Sequence, residues 1–302
     1  MIQGTVIRVD ARGCVVFAEG EELFCRVRGR FYEDIEGQKR PIAPGDRVSI
    51  SRTSEGEGAV EEIEPRRTRL SRQAAHGERE QVIAANVDQV AIIVSVKNPP
   101  LRPGLIDRLI IAASNQAIEP FVVINKIDLG IAKKVGKVRD TFRELGYEVL
   151  YTSATEGTGV PHLALRLADR TTVFAGHSGV GKSSLLNAIH PELHLATGSV
   201  SKRTTKGRHT TTRATLFPLP AGGYVVDTPG VRAFGLWDVE KADLDIFFRE
   251  FQPLIEQCRF YDCTHDHEPD CAVRAAVEAG EVRRPRYDAY LRIMRSLEGE
   301  QR

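Results

Sequence analysis

The chain has no long apolar run, almost no tryptophan or methionine, and no excess of either charge. One Trp and two Met among 302 residues leave aliphatic side chains to build the interior. No apolar stretch approaches the roughly 18 residues needed to cross a bilayer, so no membrane role is expected. The opening residues Met1-Ile2-Gln3-Gly4-Thr5-Val6-Ile7-Arg8 lack the charged and then apolar pattern of an export leader, so a cytoplasmic protein is expected. With 42 Lys and Arg against 41 Asp and Glu, the formal net charge is +1. Global charge therefore gives no argument for nucleic acid, and any basic surface has to be local. Five cysteines, an odd number, argue against a disulfide framework. What is present is ordinary for a globular protein, 41% hydrophobic and 27% charged, and long enough for two or three domains.

Residues 1 to 67 resemble a string of short strands. Thr5–Val9, Cys14–Phe17, Leu23–Val27, Arg47–Ile50 and Gly58–Ile63 are separated by Gly and Pro punctuation. Five short strands in that length fit a small closed barrel, OB-like or SH3-like. Such a barrel either binds nucleic acid or only packs on its neighbour. Cys14 and Cys25 fall within strands and are expected to be small buried residues. A basic stretch from Arg66 to Arg72 follows, either a solvated run or a linker with phosphate affinity.

From residue 68 to 235 the texture is different. Val90–Val96 and Phe121–Ile124 are continuous apolar runs, the mark of strands buried on both faces of a parallel sheet. Further strands are expected at Tyr147–Leu150 and Thr172–Ala175. Helices are expected at 105–113, 131–145, 160–167 and 182–189. Strands alternating with helices imply a doubly wound parallel α/β domain, whose ligands bind beyond the carboxyl ends of the strands.

Gly176-His177-Ser178-Gly179-Val180-Gly181-Lys182-Ser183-Ser184 satisfies the phosphate-loop pattern between a strand and a helix. Its glycines let backbone N–H groups converge on phosphate oxygens. Lys182 brings a charge to the β- and γ-phosphates, and the Ser183 hydroxyl can ligate Mg²⁺. Asn125-Lys126-Ile127-Asp128 supplies the base. The Asp128 carboxylate can accept from guanine N1–H and the 2-amino group, a pairing adenine cannot offer. Ser153-Ala154, after the next strand, can present backbone N–H to guanine O6. GTP is therefore expected rather than ATP.

Val225-Val226-Asp227-Thr228-Pro229-Gly230 is a strand ending in a second switch. Asp227 can hold Mg²⁺ through water, and the Gly230 N–H can meet the γ-phosphate. Lys202 to Thr212 falls where the first switch belongs, with Thr211 the expected Mg²⁺ ligand and Thr210 in reserve. Val231 stands where Ras-like GTPases carry a water-orienting glutamine, and valine has no polar group. His209, in the first switch among hydroxyl residues, is the candidate to take that part, alongside Lys182 in the catalytic set. The base motif precedes the phosphate loop, so motif order is permuted. The second switch then runs in covalent line into the C-terminal region.

Residues 236 to 302 are expected to be helical around Cys258, Cys263, His265 and Cys271. Three thiolates and an imidazole suit a closed, four-coordinate structural Zn²⁺ site, with His267 as the competing ligand.

Small barrel, N-K-x-D, S-A, G-x-x-x-x-G-K-S, G-R-H-T-T-T, D-x-P-G and the Cys/His loop occur in that order. The combination closely resembles the RsgA or YjeQ family of circularly permuted GTPases, over essentially the whole chain. Gly176 to Ser184 is similar to that family's phosphate loop, and Cys258 to Cys271 to its zinc loop. Gly207 to Thr212 is similar to the segment whose histidine assists hydrolysis there, which falls on His209. The resemblance implies a monomer that binds the small ribosomal subunit and its rRNA late in assembly. It implies GTPase activity that is low alone and raised by the subunit, with release on hydrolysis. The basic stretches Arg66–Arg72, Lys202–Arg208 and Arg283–Arg286 are compatible with rRNA phosphate contacts. The expected fold is multidomain α/β: an OB-like β-barrel (1–67), a circularly permuted P-loop GTPase domain on a parallel sheet (68–235) and a helical zinc-binding domain (236–302).

Overall fold

A computed structural model of the chain describes residues 1–33, 41–73, 80–195, 214–227, 236 and 239–300. Alternating apolar residues fold the N-terminal region into five strands: β1 (Ile2–Val9), β2 (Cys14–Ala18), β3 (Glu21–Val27), β4 (Arg47–Ser54) and β5 (Glu57–Ile63), with a one-turn α1 (Arg30–Glu33) after β3. They close in the order β1-β2-β3-β5-β4, with β3 parallel to β5 and β4 returning to β1. Closure in that order leaves the ring no free edge, as in an OB-like barrel. Val6, Val16, Leu23, Val48, Ile50 and Val60 fill it completely buried, together with Cys14 and Cys25. Burial pushes the Cys14 thiol up to about 12 and Cys25 up to about 11, so both are inert packing residues.

The basic stretch is not a linker. Arg69–Gln73 (β6) pairs antiparallel with Glu80–Ala85 (β7) as a separate two-stranded ribbon. Arg66 is committed to the fully buried Asp46 at 2.7 Å, and Arg67 to Asp88 at 3.0 Å. A buried carboxylate has to be paired, so Arg66 carries barrel structure rather than a free charge.

The central sheet runs β10-β9-β8-β11-β13-β12. Its strands are β8 (Gln89–Ser95), β9 (Glu119–Asn125), β10 (Val149–Tyr151), β11 (Thr171–Ala175), β12 (Thr215–Pro218) and β13 (Tyr224–Asp227). All pairings are parallel except β12 with β13. Every residue of β8 is buried, which is why Val90–Val94 within it is an unbroken apolar run. Helices α2 (Pro103–Ser114), α3 (Lys133–Glu144), α4 (Val160–Leu167) and α5 (Lys182–Ile189) connect the strands. Strand order reverses between β8 and β11, where a doubly wound sheet opens a crevice for ligand.

The C-terminal region is less helical than its sequence implies. Before α7 (Ala272–Ala279) and α8 (Arg284–Glu300) it holds short 3-10 turns and one α turn, α6 (Gln252–Ile255). Phe248, Phe251 and Tyr290 stack there as an aromatic knot, with ring centroids 5.1 to 5.3 Å apart. The region is fastened to the sheet domain by Arg286. This buried side chain pairs with Asp107 on α2 and with Glu250 at 2.5 Å. Arg286 therefore cannot reach an external phosphate, and Arg283 and Arg284 pair with Glu144 and Asp288.

Candidate functional site

The phosphate loop leaves β11 at Ala175 and enters α5 at Lys182, beside the end of β8. Two of its glycines are obligatory. A Cβ at Gly176, where φ is +152°, would stand 2.1 Å from the Ile93 carbonyl oxygen. One at Gly181, where φ is +99°, would stand 2.3 Å from Asn125 Nδ2. Both conformations and both approaches exclude a side chain. Lys182 Nζ donates to the carbonyls of Gly176 at 2.9 Å and His177 at 3.1 Å, which centres its charge in the loop's curl. Val180 is buried beneath the loop while His177, Ser178 and Gly179 face outward.

The base motif is tied directly to this loop. Asn125, at the end of β9 and 1% exposed, donates from Nδ2 to the Val180 carbonyl at 3.0 Å and accepts from Thr152 Oγ1 at 3.1 Å. Lys126, with φ +63°, donates to the Gly179 carbonyl at 2.6 Å and to the Asn98 carbonyl. Asp128 is exposed, and one of its oxygens accepts from Ser153 Oγ at 2.6 Å. Asn125 and Lys126 therefore join segments 53 to 55 residues apart, and Ser153 aims the carboxylate. The Ser153 amide is occupied, donating to Thr158 O at 2.8 Å. Of the Ser153-Ala154 pair, the Ala154 amide is the one with no partner among the described residues.

Asp227 closes β13, three strands from β9 and next to the phosphate-loop strand. Its side chain, and all of His209, Thr210, Thr211, Gly230 and Val231, lie outside the described residues.

Cys258, Cys263, His265 and Cys271 converge, with their ligand atoms all within 4.8 Å of one another. His265 Nδ1 lies 3.6 Å from Cys258 Sγ and 3.4 Å from Cys271 Sγ. His267 takes no part; it is exposed, and its backbone N–H donates to Glu268. Burial raises Cys258, but the Ala272 and Val273 N–H groups at the start of α7 outweigh it and hold the thiol below its ordinary value. Burial first, then the neighbouring Cys271 and Cys258 sulfurs, push Cys263 up to about 12. Crowded thiols of this kind ionise together only around a cation. The donor set can hold one metal ion, and three sulfurs with one imidazole fit tetrahedral zinc.

The family profile described as RsgA GTPase matches residues 63–237. The chain is 42% identical to the small ribosomal subunit biogenesis GTPase RsgA of Moorella thermoacetica, covering 100% of this chain and 99% of the relative. It is 39% identical to the protein of the same name from Chlorobaculum tepidum, covering 98% of each. The crystal structure of YjeQ from Thermotoga maritima superposes with a TM-score of 0.79 at 35% identity, covering 99% of both chains. That of YloQ, described as a circularly permuted GTPase, gives 0.76 at 30% identity, covering 99% of this chain and 96% of that one. The chain belongs to the RsgA GTPase family.

As an RsgA-family GTPase it is a GTP hydrolase with a circularly permuted domain, and its sheet order accounts for the permutation. The chain enters at β8, and the base-motif strand therefore precedes the phosphate-loop strand while lying in the same sheet. Sequence reasoning missed Asp245. Its Oδ2 lies 3.1 Å from His265 Nε2, which turns Nδ1 toward the sulfurs. No spacing rule connects a carboxylate so far upstream to a Cys/His loop. Glu268 was also missed. It accepts from the Thr264 amide at 2.9 Å and the Thr264 hydroxyl at 2.6 Å, and from the amides of Asp266 and His267 at 3.2 Å.

Proposed function

We propose that this GTPase acts in biogenesis of the small ribosomal subunit: it binds the subunit late in assembly, hydrolyses GTP faster when bound, and leaves on hydrolysis. The observation that carries the nucleotide half is the direct junction of base loop and phosphate loop through Asn125 and Lys126. The ribosomal half is supported by relatives of that printed name, similar along their whole length.

In this reading the N–H groups of Gly176 to Ser184 hold the phosphates, and Lys182 offsets the charge that develops on the γ-phosphate. Asp128 accepts from guanine N1–H and the 2-amino group, and the Ala154 amide meets O6. Ser183 and Thr211 (or Thr210) would hold Mg²⁺, with Asp227 in support. When bound, that ion neutralises charge on the β- and γ-oxygens. The Gly230 amide meets the γ-phosphate. His209 orients the attacking water, a part Val231 cannot play. Cys258, Cys263, His265 and Cys271 hold one structural Zn²⁺. The division into 1–67, 68–235 and 236–302 is proposed on the end of the closed barrel at Ile63 and the change of texture after β13.

The test is GTP turnover with purified small subunits, large subunits or free rRNA. Small subunits alone should raise the rate. If they change neither rate nor nucleotide affinity, the ribosomal half fails and the GTPase stands. Unchanged turnover in His209→Ala would remove His209 from the mechanism.

A further inference from the structure

The metal-binding loop has the wrong charge for a phosphate ligand. Between 256 and 270 it carries Glu256, Asp262, Asp266, Glu268 and Asp270 against one cation, Arg259. Three thiolates around one divalent ion add a further negative charge. Part of this charge is used internally. Asp270 pairs with Arg259 at 2.9 Å, Asp266 with Arg295 at 3.5 Å, and Glu268 caps the loop's own amides. Glu256 and Asp262 are exposed and make no ion pair among the described residues.

Between Cys258 and Cys263 the same loop turns two aromatic rings outward, Phe260 39% and Tyr261 105% exposed. Arg259 already lies over Phe260, 5.5 Å from its centroid, so the Tyr261 ring is the open one. Water gains nothing from an aromatic ring held in this way. The backbone on either side is fixed by metal ligands, so little freedom is lost when something docks.

We propose that this tip is a docking surface for an arginine- or lysine-rich protein segment, its cations stacking on Tyr261 and pairing with Asp262 and Glu256. Exposed aromatics beside carboxylates attract guanidinium groups both through the ring face and through charge. RNA is disfavoured, because its phosphates would meet net negative charge at close range. The inference rests on the proposed subunit binding for the source of the segment, which would be a basic extension of a ribosomal protein and not rRNA.

Two measurements decide it. In the first, a fluorescently labelled deca-arginine peptide is titrated with the full-length, zinc-loaded chain, and each variant is checked for equal zinc content. Tyr261→Ala and Asp262→Asn should each weaken binding about fivefold, and Tyr261→Phe should retain it. Glu55→Gln, an exposed carboxylate on the barrel, should leave it unchanged. Equal binding by wild type and Tyr261→Ala, or an equal loss in Glu55→Gln, overturns the proposal. In the second, a benzophenone photocrosslinker replaces Tyr261 in complexes with purified small subunits. A crosslink to a basic segment of a ribosomal protein supports it. A crosslink to rRNA, or none from a bound complex, overturns it. Failure of the wild type to bind subunits would sink the proposed function instead, and the peptide titration would still decide the tip.

Discussion

Asn125 uses one amide for two loops: Nδ2 reaches the phosphate loop and Oδ1 accepts from Thr152. Removing a buried hydrogen-bonding partner costs about 1–3 kcal/mol. Asn125→Ala should therefore weaken GTP roughly tenfold while leaving the fold intact, as fluorescent GTP-analogue titration and thermal melting would register. Asp128→Asn should weaken GTP and favour xanthosine triphosphate, because the amide can donate where the carboxylate accepted; competition between the two nucleotides gives the answer. Asp245→Asn keeps the size of the group that holds His265 Nε2 and removes its charge. Loss of such a partner lowers metal affinity by about 10–100-fold. Chelator competition followed by a zinc-sensitive dye would detect it, and retention equal to wild type would remove Asp245 from the site.

At the scale of elements, the metal loop depends on a carboxylate as well as on its ligands. Burial raises Glu268, but the hydrogen bonds from the Thr264 side chain and backbone and from the His267 amide outweigh it and hold the carboxyl at about 2, against 4.5 ordinarily. A depressed folded-state value means the unfolded chain binds the proton first as pH falls. The contribution is therefore complete above about pH 4.5 and is lost as pH drops toward 2. Glu268→Gln should flatten that acid limb in a melting series across pH 2 to 6. Elements buried on both faces were legible from composition alone, β8 and β9 above all, and α4 and α5 fall where apolar spacing puts them. The β6–β7 ribbon was not legible. Its charged residues resemble a linker, and the bonds that hold it come from distant positions: Gln116 Oε1 accepts from the Ser71 amide, and Asn86 Oδ1 from the Arg67 amide. The short edge strand β12 was missed because four residues carry too little period. At the site, the residue types of both loops were legible. The occupied Ser153 amide and the Asp245 contact were not, because each depends on how distant turns close.

Across the whole molecule, a buried side chain helps join the C-terminal region to the sheet domain. Arg286 is 6% exposed and shares its charge between Asp107 on α2 and Glu250. Arg286→Met would leave both carboxylates buried without a cation, a change that costs about 3–5 kcal/mol. The melting temperature should fall markedly, and an unchanged melt would show that this ion-pair network does not stabilise the junction. A second junction joins the barrel to the sheet. Tyr224, the first residue of β13, meets Phe17 of the barrel edge-on, 6.5 Å between centroids. Asp227, the last residue of the same strand, closes it beside the phosphate-loop strand. Three residue steps of extended backbone, about 10 Å, separate the two. A strand bonded on both sides by β11 and β12 neither stretches nor bends over that length. One short strand thus carries the barrel contact at one end and Asp227 at the other, and Phe17→Ala, which removes the barrel's half of that contact, should lower the melting temperature in a thermal melt.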